Sequence, residues 1–133
     1  MIQPPGQNTT ESREGIRAFA AALNGSTLTR IIFDEHQASM FFSSGQWIAI
    51  YFGLEYISEK SGETPKKFYV SGAPKDYDFM QVLGKDVVDA KEEIDQSMSI
   101  IFGDDLILKI LKGENMLESY IIYFSELGDF VVV

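Results

Sequence analysis

The 133 residues contain no cysteine. Disulfides, thiolate metal sites and a cysteine nucleophile are therefore excluded, and a reducing cytoplasm is the expected compartment. Histidine occurs once, at His36, which leaves no pair for a two-histidine metal site. Basic residues are scarce: 11 Lys and Arg stand against 20 Asp and Glu, a net charge of −9. A surface of that sign repels nucleic acid and anionic membranes. Apolar runs such as Ile48 to Leu54 fall far short of the ~20 residues a membrane-spanning helix needs. Met1 to Gly6 lacks the basic and apolar stretches of a secretory signal. Gly-rich phosphate loops, a nucleophile elbow and a dinucleotide fingerprint are missing as well, so no catalytic residue, cofactor or metal is assigned.

What the chain does have is a repetition. Leu28, Ile31, Met40, Phe42, Ile48 and Ile50 follow Gly25 almost as Val87, Ala90, Ile100, Phe102, Leu108 and Ile110 follow Gly84. Such self-similarity marks one supersecondary unit used twice. Residues 1–7 carry Pro4, Pro5 and Gly6 and read as a flexible lead-in. A helix is expected over 8–24, capped by Asn8 with Glu11 three residues on, and ended at Asn24-Gly25. Its apolar stripe is Ile16, Phe19, Ala20 and Leu23.

The first repeat spans 25–57, with turns at Asp34 to Gln37 and Ser43-Ser44-Gly45 and a third strand over Trp47–Tyr51. That strand is apolar on both faces, so a second sheet should cover one and the helix the other. Residues 58–83 form a polar connection, in which Phe68-Tyr69-Val70 could be a short strand and Ala73 to Leu83 a helical turn or two. The second repeat and C-terminal strands occupy 84–133, including Tyr120 to Phe124 and Phe130 to Val133. The expected fold is mainly β (α+β) in one domain. Two related antiparallel meanders form a sandwich or partly closed barrel, with the N-terminal helix packed on it.

Charge is unevenly shared. Residues 86–133 hold eleven acids against three bases, net −8, which leaves −1 for the rest. Glu92, Glu93, Asp95, Asp104 and Asp105 fall at successive turns of the second repeat, where alternate turns of a meander can share an edge. They are the candidate partner-binding residues, and an acidic edge steers a basic partner towards itself. His36, beside Asp34 and Glu35, reads as a turn residue rather than a general base. Asp76-Tyr77-Asp78 is too short to define a site. Lys60, Lys66, Lys67 and Lys75 cluster near Phe68 and Tyr69 but are offset by Glu59, Glu63, Asp76 and Asp78, so nucleic-acid binding is not expected. Phe41, Trp47 and Tyr51 fall on the face opposite Phe42, Ile48 and Ile50, either as core or as an interface.

The pattern Gly25-x-x-Leu28-x-x-Ile31-x-Phe33 with Met40-x-Phe42-x-x-Gly45 recurs as Gly84-x-x-Val87-x-x-Ala90 with Ile100-x-Phe102. With Glu118-Ser119-Tyr120, it resembles small duplicated bacterial β-domains found near polymorphic toxin systems, some of which look like immunity proteins. The resemblance covers residues 23–124, with Ala90 and Glu92 standing where larger apolar residues are usual. It implies a non-enzymatic binding protein, and with the acidic second repeat the expected function is that of an immunity-type inhibitor that masks a basic toxin. The alternative is a small β-domain that holds an apolar small molecule between its layers.

Overall fold

The structure is a computed structural model that describes residues 10–70, 78–114, 118–125 and 129–133. The expected lead-in over 1–7, the cap Asn8, and Lys75, Asp76 and Tyr77 lie outside the described residues. Helix α1 runs Thr10–Leu23. Its stripe of Ile16, Phe19, Ala20 and Leu23 is buried, as the helical spacing requires. Gly25 ends the helix with φ +82°, a left-handed conformation that costs glycine little. Gly84, its counterpart in the second repeat, has φ +82° as well and follows a short 3-10 helix at Asp78–Val82.

Ten strands follow in two sets of five. The first repeat contributes β1 (Leu28–Phe33), β2 (Ala38–Phe42), β3 (Trp47–Ile50) and β4 (Gly53–Ser58), and the connection after it contributes β5 (Lys66–Tyr69). The second contributes β6 (Val87–Glu92), β7 (Met98–Phe102), β8 (Leu106–Leu111), β9 (Tyr120–Tyr123) and β10 (Phe130–Val132). They build two antiparallel sheets, sheet I in the order β1-β2-β3-β9-β10 and sheet II in the order β5-β4-β8-β7-β6. The sheets face one another as a sandwich and do not close into a barrel.

The duplication holds down to individual irregularities. β1 and β6 share one burial alternation, and each has its register shift just after the first residue, at Leu28/Arg30 and Val87/Asp89. Leu28, Met40, Phe42, Ile48 and Ile50 are buried, as are their counterparts Val87, Ile100, Phe102, Leu108 and Ile110. The repeats meet at their opening residues. Gly25 N donates to Val87 O (2.9 Å) and Gly84 N to Leu28 O (2.8 Å), while Val87 N donates to Ser26 O (2.7 Å) and Leu28 N to Lys85 O (3.1 Å). Each bond has its partner under exchange of the repeats, so a pseudo-twofold axis passes through the Thr27–Asp86 bridge.

One feature corrects the expected organisation. The expected meanders form, as β1-β2-β3 and β6-β7-β8, but residues 25–57 hold a fourth strand as well: the chain leaves sheet I after β3, crosses at Tyr51-Phe52, and enters sheet II as β4 beside β8. The second repeat makes the reciprocal move, sending β9 to pair with β3. The crossings touch, since Tyr51 N and Phe52 N both donate to Ser119 O (2.9 and 3.1 Å). Neither repeat completes a sheet without the other.

The helical elements are exchanged too. α1, from the first repeat, packs mainly on β6 and also on β10 of the second, with Phe19 edge-on to Phe124. Phe79 of the 3-10 helix packs against Phe33 of β1 and Phe68 of β5 in the first repeat. α1 therefore closes one open side of the sandwich and does not lie over β3, contrary to the expectation for that strand.

Phe42 and Phe102 occupy equivalent core sites at 4% and 1% exposure. Truncating either to Ala is expected to cost ~3–5 kcal/mol, measured by denaturant unfolding. Ile94, at 93% exposure, serves as the control, and its truncation should stay within about half a kcal/mol.

Candidate functional site

Inward residues of β2 and β3 fill the core, so Phe41 and Trp47 must project from the outer face of sheet I. Register brings them together. Arg30, Phe41, Trp47, Tyr123 and Phe130 are paired directly across all five strands. The guanidinium of Arg30 sits 4.3 Å from the Phe41 ring centroid. Phe41 stacks on Trp47 at 5.4 Å, Trp47 on Tyr123 at 3.9 Å and within 4° of parallel, and Tyr123 leans on Phe130 at 5.6 Å. Stacking of this kind uses the ring faces within the ladder itself, so they are not presented to a sugar or a base. Tyr51 follows on the same face, its phenol raised above the usual value by burial first and then by Tyr123 and Glu118.

The five acidic candidates are not gathered on one edge. Glu92, Glu93 and Asp95 sit at the β6–β7 hairpin, whereas Asp104 and Asp105 sit at the opposite end of β7. A five-residue strand separates the groups by roughly 15 Å. Successive turns of a meander alternate between ends, and the strand that would return an acidic turn to the first end has left for the other sheet.

Nor are they equivalent in charge. Glu92 has only 10% of its side chain exposed and is ion-paired to Arg17 (3.2 Å) and Arg13 (3.7 Å) of α1. An acid thus occupies a position the repeat pattern reserves for an apolar residue because the exchanged helix brings it two arginines. Asp104 pairs with Lys85 at 2.7 Å, and this hydrogen bond holds its carboxyl below the usual range. Lys85 and Asp104, with Ser58, Lys60, Gln81 and Leu106, border an open groove of about 490 Å³. Glu93 accepts a hydrogen bond from Ser99 Oγ (2.8 Å). Asp95 is exposed and accepts from Ser97 N (2.9 Å), while Asp105 is exposed with φ +59°.

Between Glu93 and Asp95 stands Ile94, 93% exposed, which sequence reasoning treated only as part of a turn. The tip that carries it is tightly held. Glu93 N donates to Ser97 O (2.8 Å), Gln96 N to Glu93 O (3.0 Å), and Arg13 reaches Ile94 O from α1 (3.3 Å). From the core, Tyr120 Oη donates to Gln96 O at 2.7 Å. Burial first, then the charges of Glu92 and Asp95, push the Tyr120 phenol far above its ordinary value, so it remains a neutral donor.

Other sequence candidates are dispersed. His36 is 84% exposed in its side chain and lies 3.7 Å from Glu35, as suits a turn. Lys66 is ion-paired with Asp78. Among the described residues no group of three or more His, Asp or Glu is arranged to hold a metal ion. No described helix is long and apolar enough to cross a membrane. Tyr120, Phe19, Phe79 and Phe102, all under 2% exposed, are among the largest side chains of the core.

Replacing Tyr120 with Phe leaves the Gln96 carbonyl buried without its donor. The expected loss is ~1–3 kcal/mol in unfolding experiments. Hydrogen exchange should accelerate at residues 94–97 more than at the β1–β2 turn, which does not contain Gln96.

Comparison with protein-family models, curated proteins and solved structures finds no match to this chain.

Proposed function

We propose that the protein is a non-enzymatic binding protein, an immunity-type inhibitor that masks a basic partner such as a bacterial toxin domain, and that the β6–β7 hairpin makes the contact. The observation carrying this reading is Ile94, exposed between two carboxylates on a rigid tip. Single exposed apolar residues are common on protein surfaces and need no explanation by themselves. Here the duplication supplies a comparison, because the β1–β2 hairpin closes with Asp34, Glu35, His36 and Gln37 and folds without an apolar residue at its tip. The turn itself does not demand isoleucine.

An apolar anchor rimmed by acids fits an apolar pocket rimmed by lysines and arginines. Holding the tip in place beforehand removes much of the ordering cost of association. The net charge of −8 over residues 86–133 adds long-range attraction for a basic surface. Masking a site needs this complementarity and no reacting group, which accords with the dispersed titratable residues.

The test is capture from the native host with the intact protein as bait, with Ile94→Asp and Glu93→Lys/Asp95→Lys in parallel. A basic protein should be retained by the wild type. Ile94→Asp should weaken retention by ~2 kcal/mol or more, and the charge reversal should slow association and remove its salt dependence. An acidic captured protein, or binding indifferent to both variants, would overturn the proposal.

A further inference from the structure

The duplication makes one pair of sites comparable, and they differ. One step beyond the Trp47–Tyr123 pair of sheet I comes Phe124, whose ring packs edge-on against Phe19 of α1 at 5.7 Å. Gln46 seals the same spot, 4% exposed, with Nε2 donating to Phe19 O at 3.2 Å. The equivalent step in sheet II is Ser58, paired with Leu106 just beyond Ile57 and Ile107. Ser58 has no ring to pack and Leu106 no amide to seal with. In place of the packed rings lies the open groove of about 490 Å³. Small-molecule sites span ~300–1,000 Å³.

The charges that line the groove run against those of the whole chain. Lys60 and Lys85 face it in a protein of net charge −9. Asp104 bonds Lys85 at 2.7 Å, which leaves Lys85 further ammonium protons to donate. Lys85 first, and Lys60 after it, hold the Asp104 carboxyl below its usual range, so both ammoniums stand near one carboxylate. Among the described residues Lys60 forms no ion pair, and the exposed amide of Gln81 makes no hydrogen bond. Glu59 and Asp105 meet beside the groove, Glu59 N donating to Asp105 O at 3.2 Å, without lining it. The turn that presents Asp104 holds Asp104 and Asp105 at φ +64° and +59°, where the first repeat is left-handed only at Gly45.

Two cations against one anion are complementary to an anionic ligand, and a doubly charged one gains from both. Lysine binds phosphate as a point charge, whereas the planar fork that matches a carboxylate belongs to arginine. No arginine lines this groove. The negative charge of the rest of the molecule disfavours a polyanion, so the phosphate belongs to a small molecule.

We propose that the groove binds the phosphate group of a small phosphomonoester between Lys60 and Lys85, with Gln81 donating a further hydrogen bond and the remainder of the ligand lying over Ser58 and Leu106. The site is at the end of β7 opposite Ile94, so it does not depend on the reading of the hairpin.

Titration of the isotope-labelled intact chain with inorganic phosphate, followed by NMR at constant ionic strength, tests this. Amide shifts should saturate and stay within residues 58–61, 81–85 and 103–106, while acetate and chloride produce no saturating change. Lys60→Gln and Lys85→Gln should each weaken binding by about twofold to fivefold. Asp104→Asn should tighten it by a similar factor, because a competing anion is removed and asparagine also tolerates the left-handed turn. A merely structural role for Asp104 would not tighten binding. Ser58→Phe, which supplies the ring of the equivalent position, should abolish saturation with the fold retained, as checked by circular dichroism. Should Lys85→Gln or Ser58→Phe fail to fold, Lys60→Gln and Asp104→Asn carry the test, since both change exposed side chains. Shifts spread over unrelated lysines, equal responses to acetate or chloride, or Asp104→Asn binding no tighter than wild type would each overturn the proposal.

Discussion

The short antiparallel contact between Gly25–Leu28 and Gly84–Val87 is the constraint on which the rest of the molecule depends. Four main-chain hydrogen bonds, paired by symmetry, hold the opening residues of the repeats against each other. That contact sets the direction in which β1 and β6 leave, and so the angle between the sheets. It also decides where α1 and the 3-10 helix can lie, because each enters the junction through a left-handed glycine. A side chain at either glycine would strain the one region shared by both halves.

Once the junction is fixed, exchange of elements follows. β4 and β9 cross to opposite sheets, and each helical element closes the open side of the other repeat. Interior polar groups are satisfied both at the crossings and within the repeats. Ser119 O receives two backbone donors at the point of crossing, Ser119 Oγ accepts from Gly113 N at 2.9 Å, and Gln46 Nε2 donates to the carbonyl of Phe19 at 3.2 Å. Buried polar groups left unpaired would be costly, so the two bonds to Ser119 O favour the exchanged arrangement over two separate halves.

Much of this was legible in the sequence. The spacing after Gly25 and Gly84 identified the duplication, the turns and the paired core residues of the first three strands of each repeat, because period-two alternation records which face is buried. The start of β4 was not legible: the apolar run continues through Tyr51 and Phe52, and Gly53 is the sole punctuation. That glycine is there for close approach, since a Cβ would come within 2.7 Å of Phe68 O. Strand exchange left no trace because a repeated pattern does not say which copy a strand joins. The same gap misplaced the acidic residues. Glu92 reads as one more surface carboxylate until α1 brings Arg17 to it across 75 residues of chain. The two apolar sides of Trp47 to Tyr51 were legible, but the helix assigned to cover the second side lies elsewhere.

The crossing of β4 and β9 also bears on how the chain acquires its structure. Relative to its length, the protein is rich in pairings between distant residues, such as Trp47 with Tyr123 and Leu54 with Ile110. High contact order slows folding, because loop-closure entropy must be lost before these pairings form. During synthesis β3 and β4 emerge together, yet beyond its near neighbour each needs a distant partner, some fifty residues away for β4 and about seventy or more for β3. Their strand edges and the aromatic face beside them stay unpaired until the last strands leave the ribosome. For that interval the nascent chain is exposed to the same edge-to-edge association that the finished sandwich prevents.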